Sequence, residues 1–255
     1  MRYEVSGTTM QTVSIDLARG ESLYSQTATM AWMSDTIRMD THTGGGLFAG
    51  LKRAFSGGGL FVTEFIAEDT GHVAFAPRFP GQIVPVELVA GQSIICRKET
   101  FLCAEKSVTL DIFFQQRLGA GFFAGEGFIM QRVTGPGTVF LDLSGEVVQK
   151  ELKPGERLLV HAGHIGMQDP SVSIDIQMLR GFRNMLFGGE GLFLATLTGP
   201  GRIWLQSMPI LNLAEEIARY LPRPSGDSGG GGSMLGMGVT GAAVGGILGS
   251  LLGDN

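Results

Sequence analysis

The chain has 255 residues, 40 glycines, two cysteines and a formal net charge of −5 at pH 7. Its pI near 5.4 excludes the basic surface that a general binder of nucleic-acid backbone needs. Two cysteines make no disulfide scaffold, and Met1-Arg2-Tyr3-Glu4 leads into polar sequence, not the apolar run of a secretory signal, so a cytoplasmic protein is expected.

The first 80 residues hold the loosest of three copies of one module. Its markers are Ile15-Asp16-Leu17, Gly20-Glu21, the turn Gly57-Gly58-Gly59 and Gly71. The second copy covers 81–144 and the third 145–210. A shift of 64 residues carries Gly81, Glu87, Leu88 and Gly91 onto Gly145, Glu151, Leu152 and Gly155. It also carries Ser107–Ile112 (SVTLDI) onto Ser171–Ile176 (SVSIDI), the GEG turn at 125–127 onto 189–191, and the GPG turn at 135–137 onto 199–201. Modules this small are marginal alone, and three packed together can share a core. A residue present in every copy is expected to serve the fold, and one present in a single copy is freer to serve function.

Within each copy the pattern reads as β. Apolar residues alternate with polar ones in Ser107–Ile112 and Ser171–Ile176, while Val139-Phe140-Leu141 and Ile203-Trp204-Leu205 each follow a GPG turn. In that turn Pro136 presets φ and a flanking glycine supplies a positive φ. Strands this short, punctuated by Gly and Pro, point to a sandwich or barrel. Segments 47–55, 115–123 and 179–187 are predicted as one or two helical turns ahead of each GEG-type turn.

After the third copy the period changes. Asn212 and Glu215 suit a capping box, and Leu213, Ile217, Tyr220 and Leu221 share one helical face. A helix docked on the β body is therefore expected within 211–222, ended by Pro222 and Pro224. Residues 223–233 form a Gly/Ser-rich linker. The tail, 234–255, has no charge from Met234 to Gly253, and Gly241, Gly245, Gly249 and Gly253 recur every four residues. On a helix they would make one smooth stripe for close contact. Seven Leu, Ile or Val residues in that stretch contribute only about −2 to −4 kcal/mol to insertion, and no aromatic or basic anchor flanks them, which argues against a stable span.

Several polar groups invite a chemical reading. Asp40, Asp111 and Asp175 are equivalent, as are Asp16, Glu87 and Glu151. Two rings of carboxylates suit a cation, and alternation alone places each on the solvent side of its strand. His161 and His164, with Asp169 nearby, have zinc-like spacing and occur only in the third copy, where the second has Arg97 and Thr100. On a strand, however, such a pair points to opposite faces. Cys96 and Cys103 match the apolar Val160 and Met167, so buried thiols are expected. Lys52, Arg53, Arg117, Arg180 and Arg183 stand before Gly-rich turns, as an anion site would have them, or as ordinary surface charge. No nucleophile with its base, phosphate loop or metalloprotease motif is found. No catalytic, cofactor-binding or metal-binding residue is assigned.

Five segments taken together resemble a known family: 44–61 (GGGLFAGLKRAFSGGGLF), 75–88 (FAPRFPGQIVPVEL), 122–141 (FFAGEGFIMQRVTGPGTVFL), 151–165 (ELKPGERLLVHAGHI) and 186–206 (LFGGEGLFLATLTGPGRIWLQ). It is the altered-inheritance-of-mitochondria, or mitochondrial biogenesis, family with its uncharacterised bacterial relatives. The resemblance covers nearly all of 1–210. It implies an all-β fold like that of the tryptophan RNA-binding attenuator proteins: three tandem β-sandwich, or double-stranded β-helix, repeats with pseudo-threefold symmetry. It implies no catalytic residues. Gly58 departs from the motif, since the other copies carry Glu126 and Glu190, and two extra residues separate the first GGG turn from Gly71.

The expected function is a non-enzymatic structural or interaction module without cofactor, a homo-oligomer or the partner of another protein. The tail, through 234–253, is expected to serve self-association, a partner or a membrane surface. A small-ligand binder with a pocket between repeats is the alternative, followed by an enzyme of unrecognised type. RNA binding rests on fold analogy alone and is disfavoured by the acidic charge.

Overall fold

The computed structural model describes residues 1–26, 29–42, 62–116, 128–178 and 193–220. One strand, β1 (Arg2–Ser6), precedes the repeats. The first unit then has β2 (Thr12–Leu17), β3 (Ser22–Gln26), β4 (Met30–Met33), β5 (Ile37–His42), β6 (Val62–Ala67) and β7 (Gly71–Phe75). The second has β8 (Gly81–Leu88), β9 (Ser93–Arg97), β10 (Phe101–Glu105), β11 (Thr109–Gln116), β12 (Phe128–Thr134) and β13 (Gly137–Ser144). The third has β14 (Val147–Leu152), β15 (Arg157–His161), β16 (Ile165–Gln168), β17 (Ser173–Met178), β18 (Phe193–Thr198) and β19 (Gly201–Gln206).

The alternation seen in sequence decides which side chains go inside. In β2 the apolar Val13, Ile15 and Leu17 are buried, while Asp16 between them is exposed. The same logic buries Leu110 and Ile176 and leaves Asp111 and Asp175 in water.

Each unit is wired alike. Its first strand pairs with its sixth, the sixth with the third, the second with the fifth, and the fifth with the fourth, all antiparallel. A further pairing crosses the unit boundary. The second strand of one unit bonds to the third strand of the next, β3 to β10 and β9 to β16. Sheets and units therefore do not coincide. The four sheets run β1-β2-β7-β4, then β5-β6-β3-β10-β13-β8, then β11-β12-β9-β16-β19-β14, then β15-β18-β17. Connectivity repeats along the chain, but among the described residues the sheet order is open: no strand pairing joins the first sheet to the last.

The apolar core follows the sheets rather than the units. One cluster combines Ile15, Phe65 and Phe75 with Ile83, Leu102 and Phe140 of the next unit. A second joins Tyr24 and Val62 to Phe101 and Leu141, and reaches Met167 of the third unit. A third joins Ile95, Phe128 and Met130 to Ile165, Ala195 and Ile203. Polar bonds cross the same seams. Tyr24 Oη donates to the Val108 carbonyl at 2.9 Å, and Lys106 Nζ reaches Glu64 Oε1 at 2.6 Å.

Local features refine or depart from the sequence expectations. The two extra residues of the first unit fall in the β6–β7 turn, where Glu68-Asp69-Thr70 replaces the single proline between the flanking positions. The other two units use cis prolines there, Pro136 and Pro200, with Gly137 and Gly201 at φ 130° and 140°. The helix, α1 (Ile210–Tyr220), starts two residues before Asn212, which lies inside the first turn and not at the cap. The expected docked face is also largely open, since Ile217 and Tyr220 are 51% and 81% exposed. Of the three predicted helical segments, Gln115 and Gln116 instead end β11. The remainder, the GEG-type turns, the linker and the tail lie outside the described residues. No described helix is long and apolar enough to cross a membrane.

Candidate functional site

The two sets of equivalent carboxylates do sit at equivalent strand positions. Asp16, Glu87 and Glu151 face His72, Thr138 and Arg202 on the sixth strand of their units, and all three are exposed. Asp40, Asp111 and Asp175 face Glu64, Arg132 and Thr196 on the fifth. Asp40 takes Arg38 at 3.3 Å and Asp175 accepts from Gln177 at 2.8 Å. These contacts are made by each acid with its own sheet. Among the described residues, no group of three His, Cys, Asp or Glu side chains converges to hold a metal.

His161 and His164 behave differently from the strand expectation. His161 ends β15, and a 3-10 turn, Ala162–His164, follows. The turn breaks the strand alternation and brings the two rings to 5.7 Å between centroids. Burial, the neighbouring His164 and Arg97 lower the His161 pKa. His164 Nδ1 lies 2.8 Å from the Gln206 carbonyl, which fixes that ring, and among the described residues no third metal-ligating side chain joins the pair. Asp169 is fixed as well, gripping Arg202 through its backbone N–H at 2.9 Å and its guanidinium at 3.0 and 3.2 Å.

Gln206 ties this corner together and was not singled out in sequence. It is buried; its amide donates to the Gly163 carbonyl at 2.9 Å and its oxygen accepts the Ser144 N–H at 3.0 Å. The corresponding place in the second unit belongs to Asp142. The counterpart of Ser144 one unit earlier is Pro80, which has no N–H to give. Asp142 Oδ1 is accordingly buried without a hydrogen-bond partner among the described residues. Burial pushes its carboxyl up to about 7, opposed by the charge of Arg78.

The cysteines are free and fully buried, on different sheets. Cys96 lies opposite Met167 and Gln131, and Cys103 opposite Phe140 and Ser25. Burial pushes the Cys96 thiol up to about 12 and Cys103 well above its ordinary value. Neither is poised as a thiolate nucleophile. The basic residues Lys52, Arg53, Arg117, Arg180 and Arg183 lie outside the described residues.

Two strand edges also present exposed apolar side chains. On β4, Trp32 is 50% exposed, and on β15, Leu159 is 65% exposed. Each strand ends a sheet on the side where its counterparts in other units find a neighbour. One signal for them was available in sequence: Leu159 aligns with Tyr24 and Ile95, so an end unit keeps an apolar residue where polar would suffice.

Residues 3–208 match the family model Mitochondrial biogenesis AIM24. The chain belongs to this family. The chain is also similar to an uncharacterised protein of Streptococcus pyogenes serotype M6, 29% identical over 221 residues, which cover 84% of this chain and 88% of that one. Among solved structures, the X-ray crystal structure of protein SPYM3_0169 from Streptococcus pyogenes is similar, with a TM-score of 0.71 and 26% identity. That likeness covers 86% of this AIM24-family chain and 99% of the other.

Proposed function

We propose that this AIM24-family chain is a non-enzymatic structural or interaction module. One observation carries the reading. Three polar side chains that occur in a single unit serve as joints of the fold: Asp169 on Arg202, His164 Nδ1 on the Gln206 carbonyl, and Gln206 on two backbone groups. The apolar side chains Trp32 and Leu159, by contrast, stand in water on open strands. The uncharged tail, 234–253, adds a contact segment for self-association, a partner or a membrane surface.

The test compares the full chain with one ending at residue 224. Light scattering, liposome flotation and a pull-down from native lysate are expected to separate the two, with thermal unfolding of the body unchanged. Equal behaviour of both forms would remove the tail from the proposal. Loss of folding on truncation would place the tail in the core.

A second reading, a small-ligand binder with a pocket between repeats, has one supporting observation. Both side-chain polar atoms of Gln131 are buried without a partner among the described residues. Such groups are costly to leave unmatched, and a polar guest would match them. Gln131→Leu would abolish ligand-induced thermal shifts if that reading is right.

A further inference from the structure

The two open edges are the two halves of a junction that the chain already makes twice. At the first internal seam β10 lies antiparallel to β3, with Cys103 opposite Ser25 and Ala104 opposite Tyr24. At the second, β16 lies antiparallel to β9, with Met167 opposite Cys96 and Gln168 opposite Ile95. These pairs are equivalent by the repeat. A bulge falls at the same place in all three third strands, between Met30 and Trp32, Phe101 and Cys103, and Ile165 and Met167. Trp32 thus corresponds to Cys103 and Met167, and Met33 to Ala104 and Gln168. Val160 corresponds to Ser25 and Cys96, and Leu159 to Tyr24 and Ile95.

Burial separates the inner copies from the outer ones. Cys103 and Met167 are 0% and 1% exposed, against 50% for Trp32; Tyr24 and Ile95 are 1% and 0%, against 65% for Leu159. Among the described residues, β4 has no second strand of another unit beside it and β15 no third strand of another unit beside it. β4 carries no charge or proline, and β15 carries only Arg157 at its first position and His161 at its last, so the residues that would meet at the junction are free of the charges and prolines that blunt an edge.

We propose that β15 of one copy of this chain pairs antiparallel with β4 of a second copy, Leu159 facing Met33 and Val160 facing Trp32. This rests on the interaction-module reading and names its partner and surface. The internal seams supply more than ladder bonds. Tyr24 stacks on Phe101 with centroids 5.5 Å apart, and Ile95 shares a core cluster with Ile165. By the same correspondence Leu159 comes against Met30 of the second copy, extending the core across the chains. The contact is heterologous, head to tail, so every added copy presents a new free edge of each kind. Such a contact ends only when rotation closes a ring.

The test uses the full chain in native mass spectrometry and sedimentation velocity. The wild type is expected to form one discrete oligomer. Leu159→Asp and Trp32→Asp should each lose it and run as monomers that keep the β circular dichroism and cooperative unfolding of a folded body, at a lower midpoint than the oligomer. Mixing the two variants should give a one-to-one dimer and nothing larger, since together they hold one intact β4 and one intact β15. If either aspartate variant fails to fold, Leu159→Ser and Trp32→Ser take its place. Met33→Cys/Leu159→Cys should cross-link between chains, giving covalent multimers on a non-reducing gel. A monomeric wild type, an oligomer that survives both edge variants, or a cross-link formed within one chain would each overturn the proposal. If removal of residues 225–255 dissolves the oligomer while the edge variants do not, the edge contact is wrong and the interaction-module reading stands.

Discussion

At Asp142 a single upstream residue sets the chemistry. In the third unit the equivalent side chain, Gln206, receives the Ser144 N–H; in the second, Pro80 removes the donor and leaves a carboxyl oxygen buried and unmatched. The carboxyl is held protonated in the folded chain up to about 7, whereas its ordinary value is 3.8. The folded chain therefore keeps a proton that the unfolded chain releases. That contribution to stability is fully present below about pH 4 and is lost as pH rises through about 7. Asp142→Asn, which resembles the protonated acid, should be more stable than wild type at pH 8 and no different below pH 4. Urea midpoints at the two pH values check this, and an equal difference at both would show that burial of the charge is not the cause. The residue scale also marks where sequence reasoning stops. The burial of Cys96 and Cys103 was legible from Val160 and Met167 at the same register. The meeting of His161 and His164 was not, because the 3-10 turn that rotates one ring toward the other leaves no periodic trace.

At the scale of elements, the turn after the first strand of each unit is the one that recurs in all three, with Gly20, Gly91 and Gly155 at φ 86°, 80° and 77°. Gly155 has φ +77° and open space where a Cβ would go. Gly137 has φ +130°, and a Cβ there would meet Ser107 Oγ at 2.8 Å and Val108 at 3.0 Å. Gly155→Ala should therefore cost only the left-handed backbone penalty, about 1–2 kcal/mol. Gly137→Ala should cost more, because backbone strain and collision add. Denaturant unfolding of both variants ranks them, and the reverse order would contradict the turn geometry. Strands and glycine turns were legible because their period and punctuation are local. The helix was less so. Its apolar stripe promised docking, yet Ile217 and Tyr220 stay exposed, and its start at Ile210 ignores the capping signal at Asn212. Helix ends obey what precedes them, here Pro209, whose carbonyl accepts the Leu213 N–H at 3.3 Å.

For the whole molecule, the 64-residue register predicted repeated units but not how they join. Joining depends on which strand crosses a boundary, and a repeat is silent on that, since every unit carries both halves of the junction. The crossing strands spread each apolar cluster over neighbouring units. The units are thus parts of one continuous body, and among the described residues β4 and β15 are the strands left without the neighbour that their counterparts have. The measurement that reaches this claim most directly is hydrogen exchange on the intact chain, resolved over residues 30–33 and 157–161. If a second copy completes the junction, the amides of these edges exchange as slowly as those of β9, β10 and β16, and they become fast on dilution to monomer. Fast exchange at both edges at every concentration would contradict the account.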